Sequence, residues 1–78
     1  LAREVVAFVQ ELRREDLYKL PGVAETLDWI AALVALDRAD LSDEIITDTL
    51  GVLLKYQDDI QQVRGKVTER ILAHVSNP

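Results

Sequence analysis

The sequence predicts an all-α protein, a small four-helix bundle formed by a single domain over residues 1–78. Three observations support this prediction. Apolar residues recur at intervals of three and four residues in four segments, a spacing that places them on one side of an α-helix. No segment alternates polar and apolar residues as a half-buried strand does, and no Asn-Gly or Asp-Gly pair indicates a hairpin. A chain of 78 residues, 49% of them apolar, has room for one hydrophobic core.

The first helix is predicted over residues 1–16, because its apolar residues share one face. These residues are Val5, Phe8, Val9 and Leu12. Pro21 and Gly22 then interrupt the helical pattern. We expect the apolar side chains of the connector to tuck under the fold, namely those of Leu17, Tyr18 and Leu20.

The second helix is predicted from about Val23 to about Leu36, with Glu25 in the first turn, where the helix dipole favours a negative charge. Val23, Leu27, Ile30 and Val34 line one face, and Trp29, Leu33 and Leu36 line another. Only three polar residues interrupt the apolar surface: Glu25, Thr26 and Asp28. A helix that is apolar on nearly all sides is normally buried. We therefore expect this helix to form the centre of the domain.

A polar loop over residues 37–40 leads to the third helix. Ser42 is predicted as its N-cap, followed by two acidic residues in the first turn, Asp43 and Glu44. Leu41 and Ile46 have the spacing of a hydrophobic staple, in which an apolar residue before the cap packs on one in the first turns. The helix is predicted to end between Leu54 and Gln57.

One continuous fourth helix is predicted to follow, with Asp58 and Asp59 in its first turn and Ser76-Asn77-Pro78 at its end. Its apolar stripe consists of Ile60, Val63, Val67, Ile71 and Val75. Gly51 in the third helix and Gly65 in the fourth are weak points, because glycine is a poor helix former.

Composition excludes several classes of function. The net charge is −5 and both halves of the chain are acidic, which disfavours nucleic acid as a partner. The longest apolar run, 30–36, is too short to span a membrane, and no signal peptide is recognisable. Cysteine is absent, as suits a reducing, cytoplasmic setting. Because the sequence begins with Leu1 and contains no Met, we expect it to be part of a longer protein.

The sequence predicts neither a catalytic site nor a metal site. The single histidine, His74, is placed to interact with the end of the last helix dipole. Neighbouring carboxylates such as those of Asp58 and Asp59 point about 100° apart on a helix and cannot readily share an ion. Glu25 and Asp28 do share a face, but two carboxylates are too few for a hard cation. Two aromatic residues, Trp29 and Tyr56, could serve either the core or an interface.

Two motifs resemble a known family. They are L-Y-K-L-P-G-V-A-E-T-L-D-W-I-A-A-L at residues 17–33 and T-L-G-V-L-L-K-Y at residues 49–56. Together, and in this order, they resemble the segment that follows the ATPase core in MoxR-type AAA+ proteins. The resemblance covers about residues 12–62, while the two ends of the chain agree only in being helical.

The resemblance implies that the chain is the C-terminal helical lid of such an ATPase. In that family the lid covers the nucleotide, packs near its adenine and moves during the ATP cycle. Lid and core contacts help assemble a hexameric ring, which remodels client proteins in a chaperone-like manner, often with a partner that has a von Willebrand factor A domain. ATP and Mg would be held by the missing core domain. The residues expected near the nucleotide are Pro21, Gly22, Val23, Glu25 and Thr26.

One feature departs from the family pattern. Many AAA+ lids carry an arginine, called sensor 2, at the start of the helix equivalent to residues 23–36. Glu25 and Thr26 occupy the nearest positions here, and a carboxylate facing a phosphate would repel it. The nearest positive side chain in the sequence is that of Lys19. Two explanations stay open: this branch senses nucleotide without a lid arginine, or the lid acts mainly through packing.

Two other classes of function compete with the lid. A stand-alone helical module for protein–protein interaction would bind its partner in a groove between helices. An enzyme complete in itself is disfavoured, because no acid–base or nucleophile arrangement is recognisable. The lid hypothesis expects an exposed apolar surface around residues 21–23, next to a helix N-terminus.

Overall fold

The computed structural model describes residues 1–76, and within that range it contains five α-helices and no strand. The helices are α1 (Ala2–Leu12), α2 (Val23–Ala35), α3 (Asp43–Leu53), α4 (Gln57–Val63) and α5 (Lys66–Ser76). α2 packs against α1 and α3, while α5 packs mainly on α1 and α3 and also contacts α4. The all-α class is therefore confirmed, with five helices in place of the four expected. The predicted stop at Asn77 and Pro78 lies outside the described residues.

Aromatic side chains from α1 and α2 meet at the centre of the core. The rings of Phe8 and Trp29 are both fully buried, with their centroids 5.5 Å apart and their planes tilted by 55°. Around them pack buried aliphatic side chains from all five helices: Val5, Leu12, Leu33, Ile46, Leu50, Leu53, Val63 and Ile71. Trp29 therefore belongs to the core and not to an exposed interface.

A hydrogen-bonded chain joins α2 to α3 inside this core. The indole Nε1–H of Trp29 donates to Oγ1 of Thr49 over 2.7 Å, and the Thr49 hydroxyl donates in turn to the carbonyl of Ile45 over 2.6 Å. A buried indole without an acceptor would carry a desolvation cost of about 1–3 kcal/mol. The Thr49 hydroxyl removes that cost and fixes α2 relative to α3.

The prediction that α2 is buried at the centre of the domain is wrong. Only Trp29 and Leu33 of α2 are buried, whereas Val23, Leu27 and Val34 are 78%, 60% and 62% exposed. The physical reason is coverage: α1 and α3 enclose one side of α2, and the last two helices pack mainly on α1, on α3 and on each other. The stripe that begins at Val23 is therefore left at the surface.

The prediction of one continuous fourth helix is also wrong, because the chain turns between α4 and α5. Gly65 adopts a φ of +90°, a region that side chains with a Cβ rarely occupy. The hydroxyl of Thr68, which is fully buried, donates to the carbonyl of Val63 over 2.7 Å and so satisfies a group at the end of α4. The apolar stripe continues across the turn, since residues from both helices contact the core.

Local signals at other helix ends agree better with the structure. Oγ of Ser42 accepts a hydrogen bond from the N–H of Ile45 over 3.3 Å, as expected of an N-cap. Leu41 and Ile46, the predicted staple, are both buried. α1 ends at Leu12, earlier than predicted, and α3 ends at Leu53. None of the described helices combines the length and apolar character that crossing a membrane requires.

The two glycines that weaken the predicted helices should respond to alanine in opposite directions. Gly51 lies inside α3 and is exposed, and a Cβ at this position would meet no other atom within 4 Å. Gly51→Ala should therefore raise the free energy of unfolding by about 1 kcal/mol. Gly65→Ala should lower it by about 1–2 kcal/mol, because its positive φ disfavours a Cβ. Urea unfolding monitored by circular dichroism measures both; shifts of the midpoint in the same direction would contradict the assigned backbone.

Candidate functional site

The start of α2 is capped by side chains that lie within its own first turn. Gly22 is the N-cap residue, and its N–H donates to the carboxylate of Glu25 over 3.0 Å. The hydroxyl of Thr26 donates to the carbonyl of Gly22 over 2.7 Å. The first of these bonds satisfies a backbone donor that a helix leaves free at its beginning. Glu25 and Thr26 therefore have structural partners at this helix end.

The structure brings four of the five residues expected near nucleotide to one groove. Pro21, Gly22, Val23 and Thr26 line an open groove of about 490 Å³ between α1 and α2, while Glu25 lies beside it as the capping residue. Pro21 is buried, whereas Val23 is largely exposed. The remaining lining comes from Val6, Val9, Gln10 and Arg13 of the first helical segment and from Leu27 and Ile30 of α2.

Arg13 is a charged residue of this groove that the sequence did not indicate. It follows the end of α1, and its guanidinium donates a hydrogen bond to the carbonyl of Pro21. Lys19 is nearer to the helix start along the chain, but it does not line the groove. The only sequence signal for Arg13 is its position on the same face of α1 as Val6 and Gln10, which becomes meaningful once α1 is known to pack beside α2.

The groove continues into the exposed apolar stripe of α2. Val23, Leu27 and Val34 are exposed and Ile30 is half-buried, so one side of this helix presents aliphatic carbon to solvent over its whole length. Isolated apolar side chains are common at protein surfaces, but a contiguous set usually marks a surface that another molecule covers. This continuity makes the groove the leading candidate for a functional surface.

A second surface is formed by two tyrosines from different connectors. The rings of Tyr18 and Tyr56 meet edge to face with centroids 6.1 Å apart, and Nζ of Lys55 lies 5.8 Å from the centroid of Tyr56. Tyr18 is 78% exposed, so the expectation that its side chain tucks under the fold is wrong. Its ring contacts that of Tyr56 at the surface, and its backbone N–H donates a hydrogen bond to the carboxylate of Asp59.

The buried carboxylate of Asp59 holds that connector in place. One of its oxygens accepts the N–H of Tyr18 over 2.9 Å, and the other accepts the N–H of Lys19 over 3.2 Å. Asp59 is only 1% exposed, whereas its neighbour Asp58 is exposed. Both carboxylates lie in the first turn of α4, as predicted, but Asp59 also anchors a segment that lies 41 residues away in sequence.

The remaining ion pairs lie at the ends of α1 and between α1 and α5. Glu11 lies 3.6 Å from Arg14 and 3.3 Å from Nε2 of His74, and Glu15 lies 2.7 Å from Arg70. His74 is mostly exposed. Among residues 1–76 no three histidine, aspartate or glutamate side chains converge as a metal site would require. These contacts join the first helical segment to α5.

Comparison with models of known protein families, with curated proteins and with solved structures finds no match to this chain. The resemblance to AAA+ lids consequently rests on the two sequence motifs at residues 17–33 and 49–56.

The anchor role of Asp59 can be tested against its neighbour. Asp59→Asn replaces one acceptor by an amide NH₂ that would face a backbone N–H, and it should lower the free energy of unfolding by about 1–3 kcal/mol. Asp58→Asn removes a first-turn charge of the same kind without a tertiary bond and should cost less than about 1 kcal/mol. Urea unfolding of both variants measures the difference, and equal losses would show that Asp59 acts only on the helix dipole.

Proposed function

We propose that this chain is the C-terminal helical lid of a MoxR-type AAA+ ATPase. The observation that carries the proposal is the exposed apolar surface at the capped start of α2, where Val23 is largely exposed and borders the groove. A lid requires such a surface, because it must pack against a nucleotide and a core domain that this chain does not contain. The first of the two motifs that resemble the family, at residues 17–33, includes this helix start.

The chemistry of the groove suits the part of a nucleotide that a lid covers. Its walls are mostly aliphatic, with Arg13 as the one charged side chain in the lining, so the groove can cover a planar, weakly polar base. The phosphates and Mg would be bound by the core domain, and the lid would supply an apolar cover. In this proposal Pro21, Gly22, Val23 and Thr26 are the residues nearest the nucleotide.

The lack of a sensor-2 arginine at the start of α2 is compatible with a lid that acts by packing. The carboxylate of Glu25 accepts the N–H of Gly22, so it is engaged at the helix start rather than free to face a phosphate. Of the two explanations left open by the sequence, packing is the one that this contact favours. Movement of the lid would then couple ATP binding and hydrolysis to the rest of the protein through the apolar surface of α2.

The partners of such a lid follow from the same proposal. They are its own ATPase core, the neighbouring subunits of a ring and, by resemblance, a protein with a von Willebrand factor A domain. The parent protein would remodel other proteins in a chaperone-like manner and would act in the cytoplasm.

A second candidate is a stand-alone helical module for protein–protein interaction. It is favoured by the length of the groove, which extends beyond the helix start to Val6, Leu27 and Ile30. A base would cover only the end of this surface, whereas a protein segment could cover all of it. The two candidates differ in the sequence expected upstream of Leu1.

The reading frame that encodes the chain separates the two candidates. The lid proposal expects a strand, the loop G-x-x-x-x-G-K-[ST] and a helix upstream of Leu1, because a nucleotide-binding core has to precede the lid. A reading frame without that segment would refute the lid proposal and leave the interaction module.

A tryptophan in the groove should impair the parent ATPase. The test uses the protein that contains both the nucleotide-binding core and this chain. There, Thr26→Trp should fill the groove and reduce ATP binding or turnover by about tenfold or more, because small displacements of a bound substrate are costly. Ala31→Trp is the matched control, because Ala31 is exposed on the same helix and does not line the groove. Steady-state ATPase assays provide the measurement, with circular dichroism to verify folding. Equal activity of the two variants would remove Thr26 from the nucleotide site.

A further inference from the structure

Charges on α1 and the turn that follows it are divided between two sides. The acidic residues Glu11 and Glu15 contact His74 and Arg70 of α5. The groove side carries Arg3, Val6, Gln10 and Arg13, which follow one another at i, i+3, i+7 and i+10 and therefore form one stripe. A second concavity of about 470 Å³ adjoins the groove along this stripe and is lined by Ala2, Arg3, Val6, Ala7 and Gln10.

The edge of this surface is basic although the protein is acidic. The chain has a net charge of −5, yet the described residues that line the groove and its adjoining concavity include two arginines and no carboxylate. The carboxylate of Glu25 lies beside the groove, where it accepts the N–H of Gly22. None of the ion pairs formed within the described part of the chain involves Arg3 or Arg13. The aliphatic part of the groove lining includes Val6, Leu27 and Ile30, and we call these three residues the floor.

We propose that this surface binds an acidic amphipathic helix of another polypeptide. Apolar side chains of the partner at i, i+4 and i+7 would lie on the floor formed by Val6, Leu27 and Ile30, a common mode of helix recognition. Its carboxylates would lie beside Arg3 and Arg13. These arginines are separated by ten residues and thus by about 15 Å along α1, so the partner needs acidic residues about three turns apart.

Other kinds of partner would match the charges and the aliphatic floor of this surface less well. A second copy that used the same groove in a symmetric dimer would bring arginine stripes together, which costs free energy. A nucleic acid would meet the arginines but leave the aliphatic floor uncovered. The inference rests on the groove and its charges and does not depend on the lid proposal.

Synthetic peptides test the proposal on the 78-residue chain itself. The probe is a fluorescein-labelled helical peptide of about 15 residues with a leucine stripe and two flanking glutamates about three turns apart. One control peptide has lysines in place of the glutamates, and another has the same composition with its leucines scrambled. Fluorescence anisotropy should give an affinity about tenfold higher for the glutamate peptide than for the lysine peptide, because two attractive contacts become repulsive. This preference should shrink at high salt.

Variants of the chain identify the surface that binds. Leu27→Glu places a charge on the aliphatic floor and should weaken binding of the glutamate peptide by at least about tenfold. Val52→Glu is the matched control, because Val52 is also exposed but lies on α3 outside the groove, and it should leave the affinity unchanged. Arg3→Glu combined with Arg13→Glu should reverse the preference toward the lysine peptide. Arg3→Glu alone leaves the contact of Arg13 with Pro21 intact, and it should reduce the preference for the glutamate peptide over the lysine peptide.

Four results would overturn the proposal. They are absence of binding to the glutamate peptide, equal affinity for the glutamate and lysine peptides, equal binding of the leucine-scrambled peptide, and unchanged affinity of Leu27→Glu. Analytical ultracentrifugation adds a fifth: a dimer that Leu27→Glu dissociates would identify a second copy as the occupant. None of these measurements uses nucleotide, so their failure is distinguishable from failure of the lid proposal.

Discussion

Burial of the Trp29 side chain determines the orientation of α2, and the surface of the protein follows from it. The indole packs against Phe8 of α1 and donates its N–H to Thr49 of α3, so it contacts both helices that enclose α2. A helix held by one buried face has to turn its opposite face outward. The exposed stripe from Val23 to Val34 therefore follows from the packing and hydrogen bonding of Trp29 on the opposite face.

The sequence predicts the parts of the fold that depend on neighbouring residues. The all-α class, the start of α2 after Gly22 and the N-cap at Ser42 all follow from local patterns, because capping involves only residues within one turn. The exposure of α2 could not be predicted in this way. Periodicity identifies which residues share a face, but coverage of that face depends on the packing of helices that are distant in sequence. The break at Gly65 is hidden in the sequence because the apolar stripe continues across it.

The same distinction between local features and contacts of distant segments applies to the candidate site. Pro21, Gly22 and Val23 could be placed together from sequence, since they are consecutive and follow a clear break. The approach of Arg13 to Pro21 could not, because it depends on the packing of α1 beside α2. Asp59 illustrates the same limit: its position in a first turn is a local property, whereas its bond to the backbone of Tyr18 joins distant segments.

The exposed side of α2 connects the two proposals made for this protein. A domain of this size buries only about 60% of the surface of its unfolded chain, and here α1 and α3 cover one side of α2. Polar residues on the outer face of α2 would have been the simpler solution for a domain that acts alone. Contiguous aliphatic residues at a surface reduce solubility, and they usually mark a face that another molecule covers. A core domain and an acidic helix would both provide that cover, the first at the capped end near Val23 and the second along the floor that includes Leu27 and Ile30.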